Sequence, residues 1–249
     1  MLMFEPIGGK HTLLNATTHS LDLNGEWLLT YGPEDGSGPG SPEELANTNW
    51  PTIPATVPGN VELDLVAAGR LEDPSTGNRI YALRELEANE WWYRRSFNGP
   101  VIDAGQCAEL VFGGLDCLAT IWLNGEITGT ADNMLIPHRF DITSALRQRE
   151  ENELVIRISS AVLAGWRHER SVWEHPLPGG WEALAIRKAP HMYGWDIMPR
   201  VVSAGLWRDV TIEITPRTRW RSVYWATLDV DVADRTATVM VDWSFETDR

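Results

Sequence analysis

Sulfur, positive charge and long apolar runs are all scarce in this chain of 249 residues. Its two cysteines, Cys107 and Cys117, are too few for a disulfide framework or a zinc site of their own. Both read as ordinary reduced thiols. Lys and Arg number 21 against 35 Asp and Glu, a formal net charge of -14. So acidic a chain lacks the dense basic surface that phosphate backbones require, so nucleic acid is not an expected partner. An anionic membrane surface is disfavoured for the same reason. No stretch reaches the roughly 18 apolar residues of a membrane span. Residues 1–20 carry no basic flank followed by an apolar run, so no secretion signal is expected and the location expected is cytoplasmic. The length supports a sizeable core, so neither a disulfide, a metal nor a cofactor is called for.

Phenylalanine and tyrosine are also sparse, at 5 each, whereas tryptophan reaches 13. A large flat ring with one N–H donor suits both β-sheet cores and ligand platforms. Composition does not choose between these uses; position does.

Helical patterning is nearly absent, and period-two alternation takes its place. Residues 27–31 alternate after an Asn24-Gly25 turn, and residues 92–97 put Trp92, Arg94 and Ser96 on one face with Tyr93, Arg95 and Phe97 on the other. Residues 120–123 and 126–128 flank Asn124-Gly125, a pair that tolerates positive φ at both positions and predicts a tight hairpin. Residues 154–158 and 210–214 read as further strands. One short helix is expected over residues 61–68, capped by Asn60 and stopped by Gly69, and Asp141 is expected to cap a short turn through Leu146. Many short strands with frequent Gly/Pro turns indicate an all-β fold, a jelly-roll β-sandwich with a helical excursion.

A boundary is expected near Pro216, giving a first domain over 1–215 and a second beginning at 216–249. Two alternating runs, 223–232 and 237–245, flank an Ala233-Asp234-Arg235 turn, with Tyr224, Ala226, Leu228 and Val230 on one face of the first. Two strands alone are marginal in water. They read as the start of a second, incomplete sandwich.

Alternation fails over residues 165–200, far beyond the roughly 12–15 residues of an ordinary loop. This stretch holds Trp166, Trp173, Trp181, Tyr193 and Trp195 among Arg167, Arg170, Arg187 and Lys188. Aromatic rings cover the C–H face of a sugar while charged groups take its hydroxyls, so a carbohydrate is the ligand class indicated. The plainer alternative is that the rings anchor a long loop over the sandwich. His168, His175 and His191 with Glu169 and Glu174 match no standard ligand spacing, so no metal site is expected. Nor does any pair of carboxylates stand out as the two that glycoside hydrolysis needs.

Several motifs, in order, resemble the amino-terminal part of glycoside hydrolase family 2, in its β-mannosidase-like branch. They are Leu23-Asn24-Gly25-Glu26-Trp27, the stretch 53–60 through Gly69 and Asp73-Pro74, and Glu90-Trp91-Trp92-Tyr93-Arg94-Arg95-Ser96-Phe97. Phe112-Gly113-Gly114-Leu115-Asp116 follows with Ile121-Trp122-Leu123-Asn124-Gly125, then Arg187-Lys188-Ala189-Pro190, Tyr193-Gly194-Trp195-Asp196 and Ala204-Gly205-Leu206-Trp207-Arg208. The resemblance covers nearly all of residues 20–215.

It implies a galactose-binding-like jelly-roll, then an immunoglobulin-like sandwich, then a (β/α)₈ barrel carrying the two catalytic glutamates of a retaining hydrolase. This chain stops before such a barrel, so it is expected to hold no catalytic residue and to be inactive alone. Asn89-Glu90 and Asn152-Glu153 imitate the family's acid/base pair but fall before jelly-roll strands. The resemblance further implies that the Gly-Trp-Asp turn reaches towards the barrel, with Asp196 and Trp195 meeting the sugar and Arg187 and Lys188 in support. The branch usually continues Gly-Trp-Asp-Trp-Gly-Pro, whereas this chain reads Gly194-Trp195-Asp196-Ile197-Met198-Pro199, which leaves the sugar open between mannose and another β-glycoside. An autonomous sugar-binding module and a purely structural sandwich are the alternatives. Of the tryptophans, Trp27, Trp92, Trp122 and Trp207 are assigned to the fold.

Overall fold

A computed structural model describes residues 19–169, 171, 173 and 180–247. The strands, in chain order, begin with β1 (His19–Asp22), β2 (Gly25–Pro33), β3 (Thr52–Val57) and β4 (Asn89–Asn98). They continue with β5 (Gln106–Phe112), β6 (Leu118–Leu123), β7 (Glu126–Ala131), β8 (His138–Asp141) and β9 (Glu151–Ser159). Last come β10 (Val210–Pro216), β11 (Arg219–Asp231) and β12 (Thr236–Glu246). Among the described residues, four short α-helices interrupt them: α1 (Pro42–Leu45), α2 (Val61–Ala67), α3 (Ala161–Arg167) and α4 (Glu182–Ala185).

A four-stranded sheet ordered β1-β10-β5-β8 faces a six-stranded sheet ordered β3-β2-β4-β9-β6-β7. The core between them draws Ala108, Leu110, Phe112 and Ile212 from the first and Trp27, Leu29, Tyr93, Ile121 and Ile156 from the second. Alternation divides the Trp91-Trp92 pair. Trp91 points inward and stacks on Tyr31, while Trp92 points outward and stacks on Trp122 at 5.3 Å, 21°. Leu45 of α1 and the partly buried Trp50 cover that outer pair. Trp27 packs edge-on against Tyr93 and donates its indole N–H to the Leu23 carbonyl at 2.8 Å. Trp27, Trp92 and Trp122 are therefore fold residues. Trp207, expected among the fold residues, instead stays 37% exposed beneath the Arg208 guanidinium, outside the hydrophobic core.

Local signals act where they were expected. Asn124 and Gly125 take φ of 56° and 87°, which closes β6 onto β7 as a primed two-residue turn. Asn60 Oδ1 accepts the Leu63 N–H at 3.0 Å and starts α2, and Gly69 follows it at positive φ. Asp141 Oδ1 accepts the Thr143 N–H at 2.8 Å and begins a turn that bonds Ala145 to Ile142 without becoming a helix.

After Pro216 the chain enters a two-stranded ribbon, β11 with β12. Directly opposed residues share a face, and Trp220↔Phe245, Val223↔Trp243, Trp225↔Val241 and Thr227↔Val239 make one face strongly apolar. Ser222↔Ser244 and Tyr224↔Asp242 lie on the other. A register shift at Leu228 then carries Val230 to the tryptophan face. That corrects the expectation that Tyr224, Ala226, Leu228 and Val230 line up together, since simple alternation cannot foresee a bulge. Arg219 and Arg221 at the ribbon's base each reach Glu109 of β5 at 2.8 Å. Burial would raise the Glu109 carboxyl, but Arg221 and Arg219 outweigh it and hold it below its usual range; Arg139 also lies 3.2 Å from the same carboxylate.

Candidate functional site

Strand β9 ends at Ser159, and the next residue caps α3. Ser160 Oγ accepts the Leu163 N–H at 3.0 Å and donates to the Glu87 carbonyl at 2.5 Å. From Gly180 the described chain runs through α4, a 3₁₀ turn at Pro190–Tyr193, and an exposed tip at 195–198 before returning at Arg200. The stretch expected as one long loop is thus partly helical, with Gly165 of α3 packed against Glu182 so closely that an added Cβ would lie 2.6 Å from it.

The tip is a closed four-residue turn. Trp195 N–H donates to the Met198 carbonyl at 2.9 Å, and Met198 N–H returns to the Trp195 carbonyl at 3.3 Å. Gly194 enters it at φ 108°, a backbone region that side chains disfavour. Asp196 Oδ1 accepts the Ile197 N–H at 3.0 Å, which orients the carboxylate at the apex and leaves it exposed. Around it Trp195, Ile197 and Met198 are 46%, 83% and 45% exposed. A carboxylate among apolar side chains can accept two hydroxyl donors while the indole covers a C–H face.

What steadies the tip lies below it. Arg200 donates from Nε and Nη2 to the two oxygens of Glu87, both at 2.7 Å, and from Nη1 to Glu182 at 2.6 Å. Its guanidinium also sits 5.5 Å from the centre of the Tyr193 ring. Burial opposes the charge of Arg200, but the hydrogen bonds to Glu87 and Glu182 outweigh it and hold its pKa above the usual value.

Lys188 takes a place unlike the one expected for a sugar-facing cation. Its side chain is fully buried, with the ammonium donating to Asp116 and to the Ser203 carbonyl at 2.6 Å. Ser203 Oγ in turn donates to Glu62 at 2.5 Å. Lys188 is therefore an internal strut, fully buried and bonded to Asp116 and to the Ser203 carbonyl. Burial pushes the Asp116 and Glu62 carboxyls up, with Lys188 opposing it in both. The neighbouring Cys117 thiol is pushed up to about 12, chiefly by burial. Both Cys107 and Cys117 are buried and free.

Arg187 and Asp196 remain at the surface. Arg187 is paired with Asp132 at 3.1 Å, and its backbone carbonyl accepts the Met134 N–H at 3.0 Å. The Asn-Glu pairs prove structural: they lie in the first residues of β4 and β9 rather than before them. Asn152 donates to the carbonyls of Arg147 and Glu150, and Glu90 accepts the Trp92 indole N–H. Arg200, Glu87, Glu182 and Asp116 escaped the sequence reading as supporting residues; only Pro199, fixing the return of the loop, points towards Arg200. Among the described residues no group of three or more His, Cys, Asp or Glu could hold a metal ion. His175 and Glu174 lie outside the described residues. No helix among the described residues is long and apolar enough to cross a membrane.

Two curated relatives are both β-mannosidase B. The Emericella nidulans protein is 36% identical over 168 residues, and the Thermothelomyces thermophilus protein 40% over 163. These matches take in 66% and 63% of this chain but 20% and 19% of the relatives, so the chain spans about a fifth of their length. Among solved structures, a β-D-mannosidase from Dictyoglomus thermophilum superposes with a TM-score of 0.72 at 27% identity, over 92% of this chain and 26% of that one. The chain corresponds to the amino-terminal, mannosidase-like portion of such proteins. The model for the glycosyl hydrolase 2 galactose-binding-like domain matches residues 40–208, more than half of the sequence, and the chain belongs to that family.

Proposed function

We propose that this chain is the non-catalytic amino-terminal part of a retaining β-glycosidase of the β-mannosidase type, and that it lends the tip at Trp195 and Asp196 to the sugar pocket. The acid/base and nucleophile belong to a catalytic portion that the curated relatives have room for and this chain does not span. The observation that carries the reading is the tip itself: an exposed carboxylate beside an exposed indole, on a turn held by the buried Arg200 clamp. Exposed apolar side chains at a fixed protrusion suit a surface meant to be covered. Arg187 stands close along the chain as a supporting cation, and Lys188 acts from within by bracing the segment.

Residues 216–249 are read as the first strands of an immunoglobulin-like sandwich. The one-sided apolar face of β11 and β12, with Trp225 67% and Trp243 56% exposed, supports this because a second sheet would bury it. The test is kinetic. Joined to the catalytic portion of a β-mannosidase relative, the chain should give an enzyme that hydrolyses an aryl β-mannoside, and Asp196→Ala should lower its kcat/KM. The chain alone should turn over none.

A further inference from the structure

Strand alternation brings an unused set of polar groups to the outer face of the six-stranded sheet. Trp92 of β4 lies opposite Arg157 of β9, so Glu90, two residues before Trp92, and Ser159, two after Arg157, share that face. Arg157 lies over the Trp92 ring at 5.6 Å, and its Nε is buried without a hydrogen-bond partner. Glu90 is only 4% exposed, and its carboxylate accepts the Trp92 indole N–H at 3.0 Å. Buried polar groups are normally satisfied, so the unpartnered Arg157 Nε calls for an explanation.

Arg157 and Glu90 line one cavity of about 250 Å³, together with Ser159, Glu34, Arg167 and Gly36, Gly38, Pro39 and Gly40 of a glycine-rich turn. Gly38 crosses closely over Glu90: a Cβ there would stand 2.9 Å from Glu90 Oε1. At the rim, Arg167 pairs with Glu34 at 3.1 Å, and Glu34 also accepts the Ser160 N–H at 2.6 Å. These bonds tie the turn to the end of β9.

We infer that this cavity is a second carbohydrate-binding site, separate from the Trp195–Asp196 tip, in which Arg157, Glu90 and Ser159 take adjacent hydroxyls of a neutral sugar. Glu34 and Glu90 oppose an anion, while Arg157 and Arg167 oppose a cation. A neutral ligand that both donates and accepts fits both signs, and a vicinal diol does so with its two oxygens held at fixed spacing. Arg157 supplies donors only and Glu90, when ionised, acceptors only, so together they orient such a pair. The volume lies just under the roughly 300–1,000 Å³ of drug-sized sites, which suits one sugar ring rather than a chain. Burial pushes the Glu90 carboxyl up, with the Trp92 hydrogen bond opposing it, and a perturbed carboxyl lining a cavity agrees with a binding role.

The Trp92 indole N–H, bonded to Glu90, is a built-in reporter. Titrating the 249-residue protein with D-mannose, D-galactose, D-glucose and methyl β-D-mannopyranoside to about 100 mM covers millimolar dissociation constants. At least one sugar should shift the Trp92 indole resonance, assigned through Trp92→Phe. Arg157→Gln should weaken that binding about tenfold or more, the loss expected for a hydrogen bond to a charged group. Gly40→Val, whose added Cβ meets only the exposed Glu44 side chain, at 3.3 Å, narrows the cavity and leaves Arg157 and Glu90 in place, so it gives the same reading should Arg157→Gln fail to fold. Asp196→Ala should leave it intact, so failure here is distinct from failure of the proposed tip. The inference is overturned if no sugar shifts that resonance, if only acetate or phosphate does, or if binding survives Gly40→Val.

Discussion

Arg200 and Glu87, 113 residues apart, close on each other through two hydrogen bonds of 2.7 Å, Nε to Oε1 and Nη2 to Oε2. A bidentate guanidinium–carboxylate contact fixes direction as well as distance. It joins the return of the tip to the segment before β4, and Glu182 at 2.6 Å adds α4 to the same joint. The tip can therefore be exposed without being loose.

Removing that joint should be costly. Both side chains are about 10% exposed, and breaking a buried pair strands the remaining charges. Arg200→Ala is expected to lower unfolding stability by about 3–5 kcal/mol. Urea denaturation followed by tryptophan fluorescence checks this; a loss under about 1 kcal/mol would place the pair among ordinary surface contacts.

Lys188 and Asp116 should behave as a coupled unit. Lys188→Met leaves a buried carboxylate without its cation and is expected to cost about 3–5 kcal/mol. Adding Asp116→Ala to Lys188→Met removes the stranded charge, so the double variant should lose clearly less than the two single losses added together. A double-mutant cycle by denaturation measures the coupling, expected at about 2 kcal/mol or more. Strict additivity would show that the two groups do not act as a pair.

Asp64 offers a pH test. Its carboxylate accepts the Thr56 N–H at 2.9 Å, its other oxygen is buried without a partner, and burial raises its pKa to about 6 from 3.8. A carboxyl whose folded pKa is raised favours folding once protonated. That contribution is full below the unfolded value and is lost as pH rises through about 6. Asp64→Asn keeps the acceptor and removes the charge, so it should stabilise the fold at pH 7 by something on the order of 2 kcal/mol. The gain should fade as the pH falls towards 4. Stability curves of both proteins across that window are the check, and a gain independent of pH would refute the assignment.

The sandwich was legible because its signals are local. Alternation separated Trp92 from Tyr93, Asn124-Gly125 carried the backbone signature of its turn, and Asn60 named the start of α2. The struts beneath the tip were not legible, because each joins residues distant in sequence: Lys188 meets Asp116 across 72 residues and Arg200 meets Glu87 across 113. Motif resemblance placed Lys188 beside the sugar contacts; only the packing shows it buried against Asp116 and Ser203. The bulge at Leu228 escaped for a related reason, since register depends on the partner strand rather than on the run itself. The exposed pair Trp195 and Asp196 was found through motif resemblance, which packing rules would not have supplied.

The central claim is that Asp196 reaches a sugar when this chain stands beside a catalytic portion. The direct measurement compares kcat/KM for an aryl β-mannoside before and after Asp196→Ala, in an enzyme joining this chain to the catalytic part of a β-mannosidase relative. Loss of a charge-assisted hydrogen bond predicts a fall of roughly 10- to 100-fold. The unfolding midpoint should stay unchanged, because the Asp196 side chain is exposed and its one hydrogen bond is to the adjacent residue. Unaltered kinetics in a fully active joined enzyme would contradict the account.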